Sequence, residues 1–131
     1  MTSNNSANLN CPFCNLEINR ILLQNDFAIS IRDAFPVSKG HSLVIPKRHI
    51  SSIFDATEDE LVHTFKLVAE TRALLNDQYK PQGLNVGIND GVAAGQTVMH
   101  VHLHLIPRYQ GDQSDPRGGV RWIFPDKAKY W

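Results

Sequence analysis

The run His100-Val101-His102-Leu103-His104 constrains its own stretch of backbone more tightly than any other segment of the chain. Strict alternation of polar and apolar residues has the period of a β-strand, on which successive side chains point to opposite faces. Val101, Leu103 and Leu105 then bury on one side. The imidazoles line the other, roughly 6.5–7 Å apart. The predicted strand spans residues 98–106, with Met99 on the aliphatic side. Histidine titrates nearest neutral pH, ligates metals and can attack phosphorus. One histidine in such a row reads as a satisfied polar position; three on one strand point to a reaction site.

The flanking sequence places this strand in a small mixed fold. Residues 20–24 and 27–33 read as a hairpin with Asn25-Asp26 as its turn, and residues 41–46 as a third strand ended by Pro46. Thr57 and Glu60 form a capping box opening one long helix, with acidic residues in its first turn to suit the helix dipole. Leu61, Phe65, Val68, Arg72 and Leu75 follow the spacing of an inward-facing stripe. His63 lies off that stripe and is expected in solvent. Lys80-Pro81 and Gly83 end the helix, and residues 84–89 make a fourth strand. The expected class is α+β: an antiparallel five-stranded meander with one main helix. A disordered tail over residues 1–10 precedes a single domain over 11–131, extended at the C-terminus from about residue 111.

With 13 basic and 13 acidic residues, no net field draws the chain to nucleic acid or to a membrane. The N-terminal residues lack the pattern of a secretory signal, and no apolar run reaches spanning length. A cytoplasmic protein is expected. Both cysteines lie in Cys11-Pro12-Phe13-Cys14. A reducing compartment disfavours a disulfide, and a redox pair of the thioredoxin kind expects a preceding strand that this sequence lacks. Two thiolates at this spacing suit tetrahedral zinc, with histidines as completing ligands. Ahead of the histidine run, Gly91 and Gly95 with Gln96 and Thr97 suit an anion, though a glycine-flanked hairpin loop has the same composition.

The segment Gly95-Gln96-Thr97-Val98-Met99-His100-Val101-His102-Leu103-His104-Leu105-Ile106-Pro107 resembles the signature of the histidine triad (HIT) superfamily of nucleotidyl hydrolases and transferases. So does the block from Pro36 through Gly40-His41, Leu43-Val44 and Pro46 to His49. The resemblance spans Cys11 to about Tyr109. It implies that His102 attacks the α-phosphorus of a nucleoside phosphoester or phosphoramidate, that His104 stabilises the charge, and that His41 supports the triad. Phe13, Asp33, Asn89, Gln96 and Thr97 would contact the nucleotide: Phe13 the base, Asp33 the ribose, Gln96 and Thr97 the phosphate or leaving group. Cys11, Cys14, His49 and His100 would hold a structural zinc, with no organic cofactor. The family further implies a purine substrate, with adenosine expected, and a homodimer.

The third triad position is His104 where the uridylyltransferase branch has glutamine, which favours hydrolysis over transfer. Gln96-Thr97-Val98 resembles the branch that cleaves dinucleoside polyphosphates, whereas the cysteine pair resembles bacterial members near the phosphoramidase branch. A nucleotide-binding signalling module with incidental turnover is the alternative reading.

Overall fold

The computed structural model describes residues 8–131. The expected tail over residues 1–7 lies outside the described residues. Residues 8–10 enter a turn, with the Cys11 N–H donating to the Asn8 carbonyl at 3.0 Å and the Asn15 amide to the same oxygen at 3.0 Å.

Five antiparallel strands form one sheet: β1 (Ile21–Gln24), β2 (Ala28–Arg32), β3 (Ser42–Pro46), β4 (Gly83–Ile88) and β5 (Leu103–Arg108). The helix α1 runs Glu58–Tyr79 between β3 and β4. Asn25 builds the first hairpin: its Oδ1 accepts from the N–H groups of Phe27 and Ala28, both at 2.9 Å. Its Nδ2 donates to the His63 carbonyl of α1 at 2.9 Å, pinning turn to helix. His63 is correspondingly half-buried, its ring 4.6 Å from Phe27 between centroids, where the sequence alone suggests solvent.

Two expectations about the sheet need correction. The sheet is five-stranded and antiparallel as read, but its order is β1-β2-β3-β5-β4 rather than sequential. A connection as long as one containing α1 can land β4 anywhere on the sheet. β5, whose Leu103 and Leu105 are fully buried, takes the inner position, and β4 takes the edge. The histidine strand also starts at Leu103, not Val98. Residues 98–102 leave the ladder: Val101 N–H donates to Ile50 O at 2.8 Å, and Met99 is 41% exposed.

The helix is capped as predicted. Thr57 Oγ1 accepts from Glu60 N–H at 3.1 Å, and Glu60 Oε1 accepts from Thr57 N–H at 2.8 Å. Its buried face, however, is Glu60, Thr64, Leu67, Thr71 and Leu75. Four of these lie one residue off the expected stripe, Leu75 being common to both, and Leu61 and Phe65 are 37% and 49% exposed. Both sets fit helical spacing, so periodicity cannot choose between them. Arg48 decides for the first, gripping the buried Glu60 carboxylate with Nε and Nη2 at 2.9 and 2.8 Å.

The core lies between α1 and the back of the sheet, where Val44, Leu67, Leu75, Val101, Leu103 and Leu105 pack together. On the front face Ile31, Leu43 and Ile45 meet Phe13 and Leu16 of the N-terminal segment. Gly40 links the two sides. A Cβ there would stand 2.8 Å from Tyr79 Cδ2, and its φ of 90° favours glycine, so α1 can press against the residue preceding His41. Among the described residues no helix is long and apolar enough to cross a membrane.

Candidate active site and metal centre

The structure sends His100 to one cluster and His104 to another, and leaves His102 between them. His100 is fully buried and joins Cys11, Cys14 and His49. Its Nδ1 lies 3.4 Å from Cys11 Sγ, 3.5 Å from Cys14 Sγ and 3.2 Å from His49 Nδ1; Cys14 Sγ lies 3.2 Å from His49 Nδ1. Four ligands held tetrahedrally by bonds of roughly 2.0–2.3 Å stand about 3.3–3.8 Å apart. The cluster fits that frame. His100 Nε2 donates to the Pro46 carbonyl at 2.7 Å, which leaves the Nδ1 lone pair facing the sulfurs, as metal-binding histidines are commonly held.

His102 is set in the opposite sense. Its Nδ1 lies 2.9 Å from the His100 carbonyl oxygen, which can only accept, so Nδ1 carries the proton. Nε2 of the neutral ring is then a free lone pair. Phe13 stands edge-on to this ring at 5.0 Å between centroids and to His100 at 6.1 Å.

His104 sits 5.2 Å from His102 between ring centroids, and its tautomer is fixed by relay. Val37 N–H donates to His41 Nδ1 at 3.1 Å, so neutral His41 bears its proton on Nε2. That atom is 3.0 Å from His104 Nδ1 and 3.4 Å from Asp33 Oδ2. With Nδ1 accepting, neutral His104 carries its proton on Nε2. Burial pushes both imidazoles below histidine's usual range; neighbouring His102 and His41 add to this at His104, and Asp33 opposes it at both. Asp33, His41 and His104 also cluster closely enough to suggest a cation site. A cation on His41 Nε2 would need the proton on Nδ1, where it would meet the Val37 N–H. The tautomer argues against it.

The remaining predicted contacts are placed unevenly. Asp33, expected at the ribose, is drawn against His41 and His104, with Oδ1 accepting from Phe35 N–H at 2.8 Å. Asn89 is exposed and shares a cavity wall with His104. Thr97 is exposed at the head of the histidine segment. Gln96 is turned into its own loop. Its Oε1 accepts from Gly91 N–H at 2.8 Å, and its Nε2 donates to Ser51 O and Val98 O at 2.8 and 3.1 Å. The amide braces its own loop. The N–H groups of Ala94, Gly95 and Gln96 are likewise spent inside that turn. Sequence reasoning missed Val37 N–H and the Pro46 carbonyl, because main-chain groups carry no sequence signal. The family resemblance implies a backbone carbonyl at the other nitrogen of His102 without saying which, and it is that of His100. Sequence reasoning also left the C-terminal segment without a role.

The HIT domain family model matches residues 17–111. An uncharacterised HIT-like protein of Mycoplasma pneumoniae is 40% identical over 109 residues, covering 79% of this chain and 75% of that protein. The asymmetrical bis(5'-nucleosyl)-tetraphosphatase of Schizosaccharomyces pombe is 42% identical over 80 residues, 61% of this chain and 44% of that enzyme. A zinc-bound histidine triad family protein of Mycobacterium smegmatis shares the fold with a TM-score of 0.72 and 32% identity, over 82% of this chain and 81% of that one. With most of its length matched and the histidine cluster in place, the chain belongs to the HIT family.

Proposed function

We propose that this protein is a nucleotide hydrolase that works through a covalent nucleotidyl-histidine on His102. The observation that carries the reading is the 2.9 Å contact of His102 Nδ1 with the His100 carbonyl, which aims an unprotonated Nε2 away from the backbone. Nε2 attacks the α-phosphorus, and the bond from phosphorus to the bridging oxygen or nitrogen breaks. The leaving group departs with the electron pair. Water then attacks the same phosphorus, the nitrogen–phosphorus bond breaks, and a nucleoside monophosphate is released, with His102 neutral again. His104 Nε2–H donates to the charged oxygens in both steps. His41 holds His104 in the tautomer that can do so.

The substrate class is a dinucleoside polyphosphate or a nucleoside phosphoramidate, with AMP the expected product. The tetraphosphatase relative supports the first. Cys11, Cys14, His49 and His100 would hold zinc as a brace between the N-terminal segment and the strand carrying His104; the zinc-bound relative and the donor set support this. The reading includes a cytoplasmic homodimer joined along β4, supported by its place at the sheet edge and by exposed Leu61, Val62, Phe65 and Val86. Chromatography of AMP released from diadenosine tetraphosphate and adenosine 5'-phosphoramidate tests the activity. Wild type releases AMP from at least one, and His102→Ala is slower by about 10⁴-fold or more. Bound nucleotide without turnover in wild type would favour a binding module.

A further inference from the structure

A cavity of about 880 Å³ opens beside His104 on the front of β4 and β5. Asn85, Ile106 and Arg108 form its floor, and Val120, Trp122 and Lys129 of the C-terminal segment close it from above. His41 and His104 stand in its wall, whereas Phe13, His102 and Asp33 do not. The cavity thus begins where the triad ends. Its roof lies beyond residue 111, the last residue matched by the family model.

We propose that this cavity receives the leaving group as a second nucleoside 5'-phosphate, with Trp122 stacking on its base and Lys129 beside its phosphates. The inference rests on the hydrolase reading and specifies its substrate. Position comes first: with phosphorus at His102 and His104, and the first base expected near Phe13, the leaving group must pass His104. Size agrees, since nucleotide-sized ligands occupy pockets of roughly 300–1,000 Å³.

Charge agrees as well. Asp112 is held by Arg108 Nε and Nη2, both at 2.8 Å, and this contact keeps its carboxyl well below the usual range. Asp115 is paired with Arg117 at 3.0 Å. The wall therefore presents no unpaired carboxylate to repel phosphate, and Lys129, whose charge helps hold Asp115 ionised, makes no direct salt bridge among the described residues. Trp122 Nε1 donates to the Arg117 carbonyl at 2.8 Å, which orients a partly exposed indole at the cavity. Stacking on an aromatic ring tolerates any base.

The test compares kcat/KM for diadenosine tetraphosphate and for adenosine 5'-phosphoramidate, which share the nucleotide but not the leaving group. Trp122→Ala should lower the first relative to the second by about tenfold, the loss expected for one base–aromatic stack. Trp122→Phe, which keeps a ring and loses the Nε1 bond, should restore the ratio. An equal fall on both substrates, or a Phe variant as poor as Ala, overturns the proposal, because Trp122 then only holds the segment together.

A binding arm separates this from the hydrolase reading. In His102→Ala/Trp131→Phe, Trp122 is the remaining tryptophan, as the chain has 2. Diadenosine tetraphosphate, anchored at both sites, should quench its fluorescence at lower concentration than AMP. Quenching in a protein whose wild type shows no turnover sinks the hydrolase and keeps the subsite. Turnover without quenching does the reverse.

Discussion

The cluster of Cys11, Cys14, His49 and His100 and the cluster of Asp33, His41 and His104 draw on the same short stretch of chain, yet their imidazoles are prepared for opposite tasks. His100 gives Nε2–H to a carbonyl and turns its Nδ1 lone pair on two sulfurs. His104 gives up the Nδ1 lone pair to His41 and keeps Nε2–H for something outside the protein. His102, between them, is tied to the His100 carbonyl and keeps the Nε2 lone pair. Residue type is the same in all three. What differs is which backbone or side-chain atom occupies the other ring nitrogen, and that decides whether a ring turns a lone pair on two sulfurs, a lone pair outward or an N–H outward.

The comparison breaks most visibly on the metal side. Cys14→Ala should abolish stoichiometric zinc in protein purified without chelator and cost several kcal/mol of stability. The melting temperature should fall by about 10 °C or more. An unchanged metal content and melting temperature would leave the four side chains as an ordinary buried cluster. The catalytic side is subtler. His41→Asn should keep zinc but lower kcat by about 10–100-fold, the usual range for losing a residue that orients another.

The same variant sharpens the account through pH. Because burial lowers His41 and His104 in the folded protein, the unfolded chain binds protons first as pH falls through about 6.5. Stability held at neutral pH is then lost on acidification, down towards the lower folded values. Melting temperatures between about pH 7 and pH 5 should fall less steeply in His41→Asn than in wild type. Equal slopes would mean that His41 is not held neutral by burial.

The smallest effect lies on the helix behind both clusters. Thr71 is fully buried and its hydroxyl has no hydrogen-bond partner among the described residues. Thr71→Val should raise stability by up to about 1 kcal/mol. It should leave zinc content and AMP release alone; a change in either would show that α1 packing biases one cluster over the other.

Legibility in the sequence followed the physics of each feature. The capping box, the Asn25 turn and the alternating burial of Val101, Leu103 and Leu105 were readable because each rests on residues close in the chain. The helix face was not, because two stripes have the same period and a distant residue, Arg48, chose between them. Sheet order was hidden for the same reason, being settled by the burial of β5 rather than by neighbours in sequence. At the site, the residues that gather could be named, whereas their proton positions depend on Pro46 O, His100 O and Val37 N–H. Gln96 was ambiguous because its amide suits a phosphate and a loop brace equally well, and only the fold shows its bonds to Gly91, Ser51 and Val98.

The most direct test of the division between the clusters is mass spectrometry of protein mixed with diadenosine tetraphosphate and quenched at alkaline pH, where a phosphorus–nitrogen bond to histidine survives. One nucleoside monophosphate should be found covalently joined to the peptide at His102. It should be absent from His102→Ala protein of equal zinc content. An adduct on His100 or His104, or AMP released by the variant with no adduct at all, would contradict the assignment of nucleophile and ligand made here.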